Sequence, residues 1–233
     1  MPTGVIINVI SVVAGGFLGS IIGDKLSDDL KATMTTAFGI CAMAMGIASI
    51  VLMKNMPAVI FSVIIGTLLG SLLNIDKAIR GGVGKAFSAL RLNIGGDSNL
   101  MVTALVLFCC SGTGIYGSLT SGMTGDHSIL IAKSVLDFFT AMIFACQLKK
   151  AVCLIGVPQI VILGLLFFSA RLILPLTNDM MINDFKAAGG VVLLATGFTI
   201  MKVKEIPVAN MIPAMVFAMP VSWFWANVLL PLL

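Results

Sequence analysis

Charge is what this sequence lacks most. Only 10% of its 233 residues are Asp, Glu, Lys or Arg, against roughly 25% in an ordinary soluble domain. There is one glutamate, Glu205, and one histidine, His127. A single histidine excludes a His-based metal site, and so thin an acid–base inventory speaks against an enzyme. No Walker loop, no His-Glu-x-x-His and no local Ser/His/Asp motif occurs, so no catalytic residue, cofactor or metal is expected. Cys41, Cys109, Cys110, Cys146 and Cys153 are odd in number, lie in apolar stretches and show no Cys-x-x-Cys spacing. They read as small hydrophobes, not as a disulfide framework. The first residues lack a basic leader and a small-residue cleavage signal, so a retained first span is expected in place of a signal peptide.

What is present is apolar surface. Hydrophobic residues make up 59% of the chain, and mean hydropathy is +1.12. Eight spans of about 20 residues would take about 160 residues and leave only short loops. Apolar stretches run at 4–23, 33–53, 57–75, 98–119, 128–148, 152–174, 186–203 and 207–230. This composition excludes a soluble enzyme, a nucleic-acid binder and a secreted scaffold. The expected partners are the lipid bilayer and a small solute or ion, with no nucleic acid.

The positive charges orient the chain. With the N-terminus outside, the inner loops carry Lys25, Lys31, Lys77, Arg80, Lys85, Arg91, Lys149, Lys150, Lys202 and Lys204. The outer side holds Lys54, Lys133, Arg171 and Lys186. Ten against four is a positive-inside bias, which predicts both termini outside. Between the third and fourth spans, Ile79, Val83, Ala86, Phe87 and Leu90 share one helical face and Lys77, Arg80, Lys85 and Arg91 the other. This fits a helix lying on the inner leaflet; a basic loop loosened by three glycines is the alternative.

An internal repeat is the main architectural signal. Asp29-Leu30-Lys31-Ala32 opens the second span and Asp184-Phe185-Lys186-Ala187 the seventh, while Asn55-Met56-Pro57 and Asn210-Met211-Ile212-Pro213 open the third and eighth. An offset of five spans inverts one copy relative to the other, an arrangement common in transporters. Chance similarity among greasy helices is the competing explanation. The expected fold is therefore an all-α polytopic membrane protein of about eight transmembrane helices, with inverted three-helix repeats flanking a central helix pair. It reads as a single membrane domain over 1–233: repeat one at 3–75, the inner-leaflet segment at 76–93, the central pair at 97–150 and repeat two at 152–230.

Most intramembrane polarity falls in the central pair. The apolar run Leu100–Cys110 gives way to glycines at 112, 114, 117, 122 and 125, and residues 111–127 are expected to leave regular helix. Exposed carbonyls with the hydroxyls of Ser111, Thr113, Ser118 and Thr120 would form a cation or solute site; tight helix contact through small residues is the alternative. Lys133 and Asp137 are one helical turn apart on the same face. They read either as a coupling site, with Asp137 titrating, or as a fixed ion pair, while Lys133 is near enough to the outer boundary to snorkel. Asp126 reads foremost as a helix cap. Asn8 is a polar residue at depth that bonds across helices or lines a pathway. Glycines at 15, 19 and 23 and at 66 and 70 make close-approach faces, inside the bundle or within a homo-oligomer.

The pattern Gly117-Ser118, Gly122, Thr124-Gly125-Asp126, Lys133-Ser134 and Asp137, with Gly4, Asn8, Gly15-Gly16 and Gly19, resembles the YdfK/YqgA-type family of uncharacterised bacterial inner-membrane proteins. The resemblance covers most of the chain. It implies a bacterial cytoplasmic (inner) membrane location and adds Ser134 to the candidate site at 111–137. The family pattern has an acidic residue after Gly70, where this chain has Ser71. The functional expectation is a small secondary transporter or channel for an unidentified small solute or ion, built around a Gly/Ser/Thr-rich broken helix. The alternative is a non-transporting inner-membrane assembly or sensing protein.

Overall fold

The computed structural model describes residues 1–22, 25, 27–79, 81–82, 101, 104–105, 107–109 and 111–232, apart from the side chains of Arg171, Ile173 and Leu174. Every regular element among them is helical. The helices are α1 (Thr3–Ile22), α2 (Asp28–Ile50), α3 (Met56–Leu72), α4 (Gly112–Thr124), α5 (Ser128–Leu148), α6 (Gly156–Ile173), α7 (Asp179–Ile200) and α8 (Ile212–Phe224). Met101, Ala104, Leu105 and Leu107–Cys109 are helical too. The expected inner-leaflet helix is helical at 75–79 and 81–82; the rest of it lies outside the described residues, as does the Arg171 side chain.

Helix starts and stops follow local chemistry. The Asn178 side chain accepts from Met181 N at 2.9 Å, which satisfies one free N–H at the head of α7. This cap starts α7 at Asp179, seven residues before the apolar run that marked the seventh span, and so places Asp184 inside a helix. Just past the ends of α3, α5 and α7, Asn74, Lys149 and Lys202 take positive φ of 51°, 51° and 57°, a left-handed conformation that ends a helix. At Lys149 the chain passes through a 3-10 segment, Lys149–Ile155, and doubles back into α6. Helix α8 carries Pro220 and continues into a π-helical turn, Trp225–Leu229; proline offers no N–H to the regular ladder.

Four stretches are long and apolar enough to cross a membrane: Thr3–Ile22, Asp28–Ile50, Ser128–Ala170 and Val208–Leu232. The third of these contains the reversal at Lys149, so α5 and α6 lie side by side within it. Met56–Leu72 is a shorter apolar helix. Ile10, Phe17, Ile21, Val135, Val161, Leu165 and Phe168 are exposed, as lipid-facing residues are expected to be.

The chain divides into two units, residues 1–37 with 77–171, and 38–76 with 172–233. In the first, α1 and α5 run the same way: Gly4 meets Leu130, Gly15 meets Phe138 and Gly19 meets Met142. Helix α6 runs opposite to α1, since Gly16 meets Val152 while Val5 packs with Leu163 and Phe167. Helix α4 runs opposite to α5, with Gly114 at Lys133 and Gly117 at Ile129 and Leu130.

In the second unit, α2 and α7 run antiparallel. A Cβ on Gly46 would fall 2.7 Å from the Gly190 carbonyl oxygen, and one on Gly190 2.6 Å from that of Gly46. Gly39 and Gly197 meet in the same reciprocal way. Helices α3 and α8 are also antiparallel, with Gly66 at Ala214 and Gly70 at Asn210. The small-residue faces at 15 and 19 and at 66 and 70 therefore serve contacts within the chain; Gly23 lies outside the described residues. Gly19→Val would drive a side chain into the Met142 backbone of α5. The expected cost is about 1–3 kcal/mol, read as a lower unfolding temperature in detergent, whereas Gly81→Val, with open space around it, should be near neutral.

Candidate functional site

The site begins with a helix that breaks. Leu107–Cys109 are helical, Ser111 is extended at φ −69° and ψ 150°, and helix resumes at Gly112. Below the break, Met101, Ala104, Leu105, Phe108 and Cys109 pack with Ala141, Ala145 and Leu148 of α5. Beyond it, α4 packs along the N-terminal half of α5. Two half-helices thus follow one another along α5. Their junction lies level with Lys133 and Asp137, and Asp137 is the tenth of that helix's 21 residues.

The glycines behave differently from the expectation. Most of residues 111–127 keeps regular helix: Gly112–Thr124 is α-helical, and only Ser111 before it and 125–127 after it lie outside. The helix survives because its glycines are contact points. A Cβ on Gly122 would collide with the Phe167 carbonyl, and one on Gly117 would crowd Leu130. Packing at backbone distance offsets the roughly 1 kcal/mol helix penalty of each glycine. Ser111 supplies the local cap, its Oγ accepting from Gly114 N at 3.2 Å. The turn into α5 comes at Gly125, with φ 74°.

Around the junction, buried side chains from α1, α5 and α6 form one hydrogen-bonded row. Lys133 Nζ pairs with Asp137 Oδ2. Asn8 Nδ2 donates to the same oxygen at 2.8 Å. Gln159 Nε2 donates to Asn8 Oδ1 at 2.8 Å. Relative exposure is 0% for Asn8 and Gln159, 2% for Lys133 and 7% for Asp137. Lys133 therefore does not snorkel. Its ammonium turns inward to Asp137 and lies 5.9 Å from the centre of the Phe108 ring.

The structure thus brings together Asn8, Lys133 and Asp137, with Ser111 and Thr113 on the adjoining helix start. Thr113 Oγ1 donates to Ser111 Oγ at 3.2 Å. Ser118 and Thr120 are buried, and their hydroxyls meet no partner among the described residues. Ser134 stays within its own helix, donating to the Leu130 carbonyl at 2.6 Å. Asp126 is at the surface, where Oδ1 accepts from Ser128 N at 2.9 Å and from its hydroxyl at 2.6 Å; it shapes the start of α5, away from the row. No group of three or more His, Cys, Asp or Glu among the described residues is placed to hold a metal ion.

Two polar residues were not read from the sequence as buried ones. Gln159 lies in the otherwise apolar GVPQIVILG, and a buried Gln in such a run was the available signal. Asp184 is fully buried. Its carboxylate accepts from Lys54 N at 2.6 Å, Asn55 N at 3.0 Å, Asn55 Nδ2 at 3.0 Å and Ser222 Oγ at 2.6 Å. Asn55 stands at the head of α3 without a side-chain cap of its own, so α7 supplies one from 129 residues away.

Apolar spanning helices around a buried polar row define the class, an α-helical membrane protein. The chain belongs to the family described as "Protein of unknown function (DUF554)", whose model matches residues 3–223. It is 44% identical over 230 residues to the uncharacterised protein YqgA of Escherichia coli strain K12, covering 97% of this chain and 98% of that one. It is 26% identical over 218 residues to the uncharacterised membrane protein YdfK of Bacillus subtilis strain 168, covering 91% and 92%. No solved structure matches the chain.

Proposed function

We propose that this protein is a small secondary transporter or channel for a small solute or ion, without enzymatic activity, set in the bacterial inner membrane with both termini outside. The observation that carries the reading is the discontinuous helix at Ser111, whose two halves meet beside a buried Lys133–Asp137 pair midway along α5. Broken backbone at membrane depth persists only where it is buried in protein or lines a water-filled cavity, and ionisable residues at that depth mark functional sites by default. The inverted repeat read from the sequence is part of the proposal. Helices α1 and α6, α2 and α7, and α3 and α8 each run antiparallel, as copies five spans apart must. Enclosure of the ion pair by apolar neighbours favours the second reading, a non-transporting assembly or sensing protein.

Flux separates the two readings. Purified protein in liposomes, screened with small solutes and inorganic ions, is expected to move at least one of them, and Asp137→Asn to abolish that movement. A protein that moves nothing in the screen would favour the second reading. The topology is tested by single cysteines in a cysteine-free background. A cysteine at Thr3 is expected to react with an impermeant maleimide added to intact cells, and one at Lys150 is not. Reaction at Lys150 would overturn the orientation.

A further inference from the structure

The transport reading leaves the cargo open, and the following inference rests on it. An ionised Asp137 only accepts hydrogen bonds, so Asn8 must turn its amide nitrogen toward the carboxylate. Asn8 Oδ1 then faces Gln159, which must donate in turn. The consequence falls on Gln159 Oε1, an acceptor on a fully buried side chain that meets no donor among the described residues. Buried polar groups are rarely left without a partner. Gln159 Oε1 thus ends the row as a buried oxygen acceptor without a donor among the described residues, a position that a cation would satisfy.

The geometry points to a site for a monovalent alkali cation, held by the Asp137 carboxylate and, after the Asn8 and Gln159 amides turn their oxygens toward it, by those two oxygens, and exchanged against the proton of Lys133. A single carboxylate balances a single positive charge. Hard oxygen donors suit alkali ions and do not select transition metals, in keeping with the lack of a His, Cys, Asp and Glu cluster among the described residues. In the observed state the Lys133 ammonium occupies the cation's electrostatic place as a tethered substitute.

The exchange balances. A cation M⁺ enters and binds Asp137, the Lys133 ammonium is displaced, and one N–H bond breaks to leave a neutral amine and a proton that departs to water. The site is neutral before and after. An unpaired ammonium at this depth is costly, and the Phe108 ring at 5.9 Å is a weak replacement for a carboxylate; displacement and proton release are therefore coupled. The groups around Asp137 are few. Helices α1 and α4 carry no charged side chain, α5 carries Lys133 and Asp137, and α6 carries Arg171 three turns from Gln159. The other titratable groups on the packed elements are Lys149 and Lys150 at the far end of α5, the Tyr116 phenol and the thiols of Cys109, Cys146 and Cys153.

The full-length protein in liposomes with an internal pH dye is given an inward gradient of NaCl, KCl or LiCl, with choline chloride as control. Internal alkalinisation is expected with at least one alkali cation and none with choline. Gln159→Leu removes one ligand and should raise the half-saturating cation concentration about tenfold. Lys133→Met should end proton movement, and the unpaired Asp137 it leaves should make thermal stability rise with the same alkali chloride but not with choline chloride. A purely structural pair would show no such cation preference. Alkalinisation with none of the three cations, equal stabilisation of Lys133→Met by choline, or an unchanged half-saturating concentration in Gln159→Leu overturns the inference. Should Lys133→Met fail to fold, the Gln159→Leu measurement decides. If other solutes move while these gradients move no protons, the exchange falls and the transport reading stands; if nothing moves, both fall.

Discussion

Asp137→Asn is expected to destabilise the protein by about 3–5 kcal/mol, the usual cost of removing one partner of a buried pair. The Asn side chain can still accept from Asn8, so the loss comes from Lys133, which would be left as a charge among Phe108, Leu130 and Leu163 with nothing of opposite sign facing it. Replacing both partners, as in Lys133→Met with Asp137→Leu, should recover most of that stability, because a buried pair can often be exchanged for apolar residues with little loss. Urea or thermal unfolding in detergent measures both stabilities, and liposome flux shows whether the variants still transport. The double variant is expected to fold and to move nothing. A folded double variant with undiminished flux would remove the pair from the transport pathway.

Asp184→Ala is expected to cost about 3 kcal/mol, because it strands the N–H groups of Lys54 and Asn55 and the hydroxyl of Ser222, each a buried or half-buried donor worth about 1–3 kcal/mol when unsatisfied. The two backbone groups stand at the head of α3, which has no side-chain cap from its own sequence. Asp184→Asn should cost less, since one acceptor oxygen remains. Hydrogen exchange at Lys54 and Asn55 offers a local check. Faster exchange there than in the middle of α3 is the expected signature, and uniform protection in Asp184→Ala would show that the cap contributes nothing.

The membrane class, four stretches apolar enough to span and the Lys133–Asp137 pair were legible in the sequence, because each rests on short-range properties. Twenty apolar residues suffice for a span, and a spacing of four residues places two side chains on one helical face whatever surrounds them. The glycine faces at 15 and 19 and at 66 and 70 were legible for the same reason. The start of α7 was misjudged because hydropathy marks apolar residues, while a helix begins where a cap such as Asn178 satisfies its first N–H groups. Only the tertiary structure showed that the glycine-rich stretch stays helical and that the break precedes it: glycine's preference against helix is small, and close contact with the Phe167 carbonyl and the Leu130 side chain outweighs it. Only the tertiary structure joined Asn8 to Gln159, and Asp184 to the head of α3. Those partners are 151 and 129 residues apart, and a buried polar group is satisfied by whichever helix the packing sets beside it, a choice that no local pattern encodes.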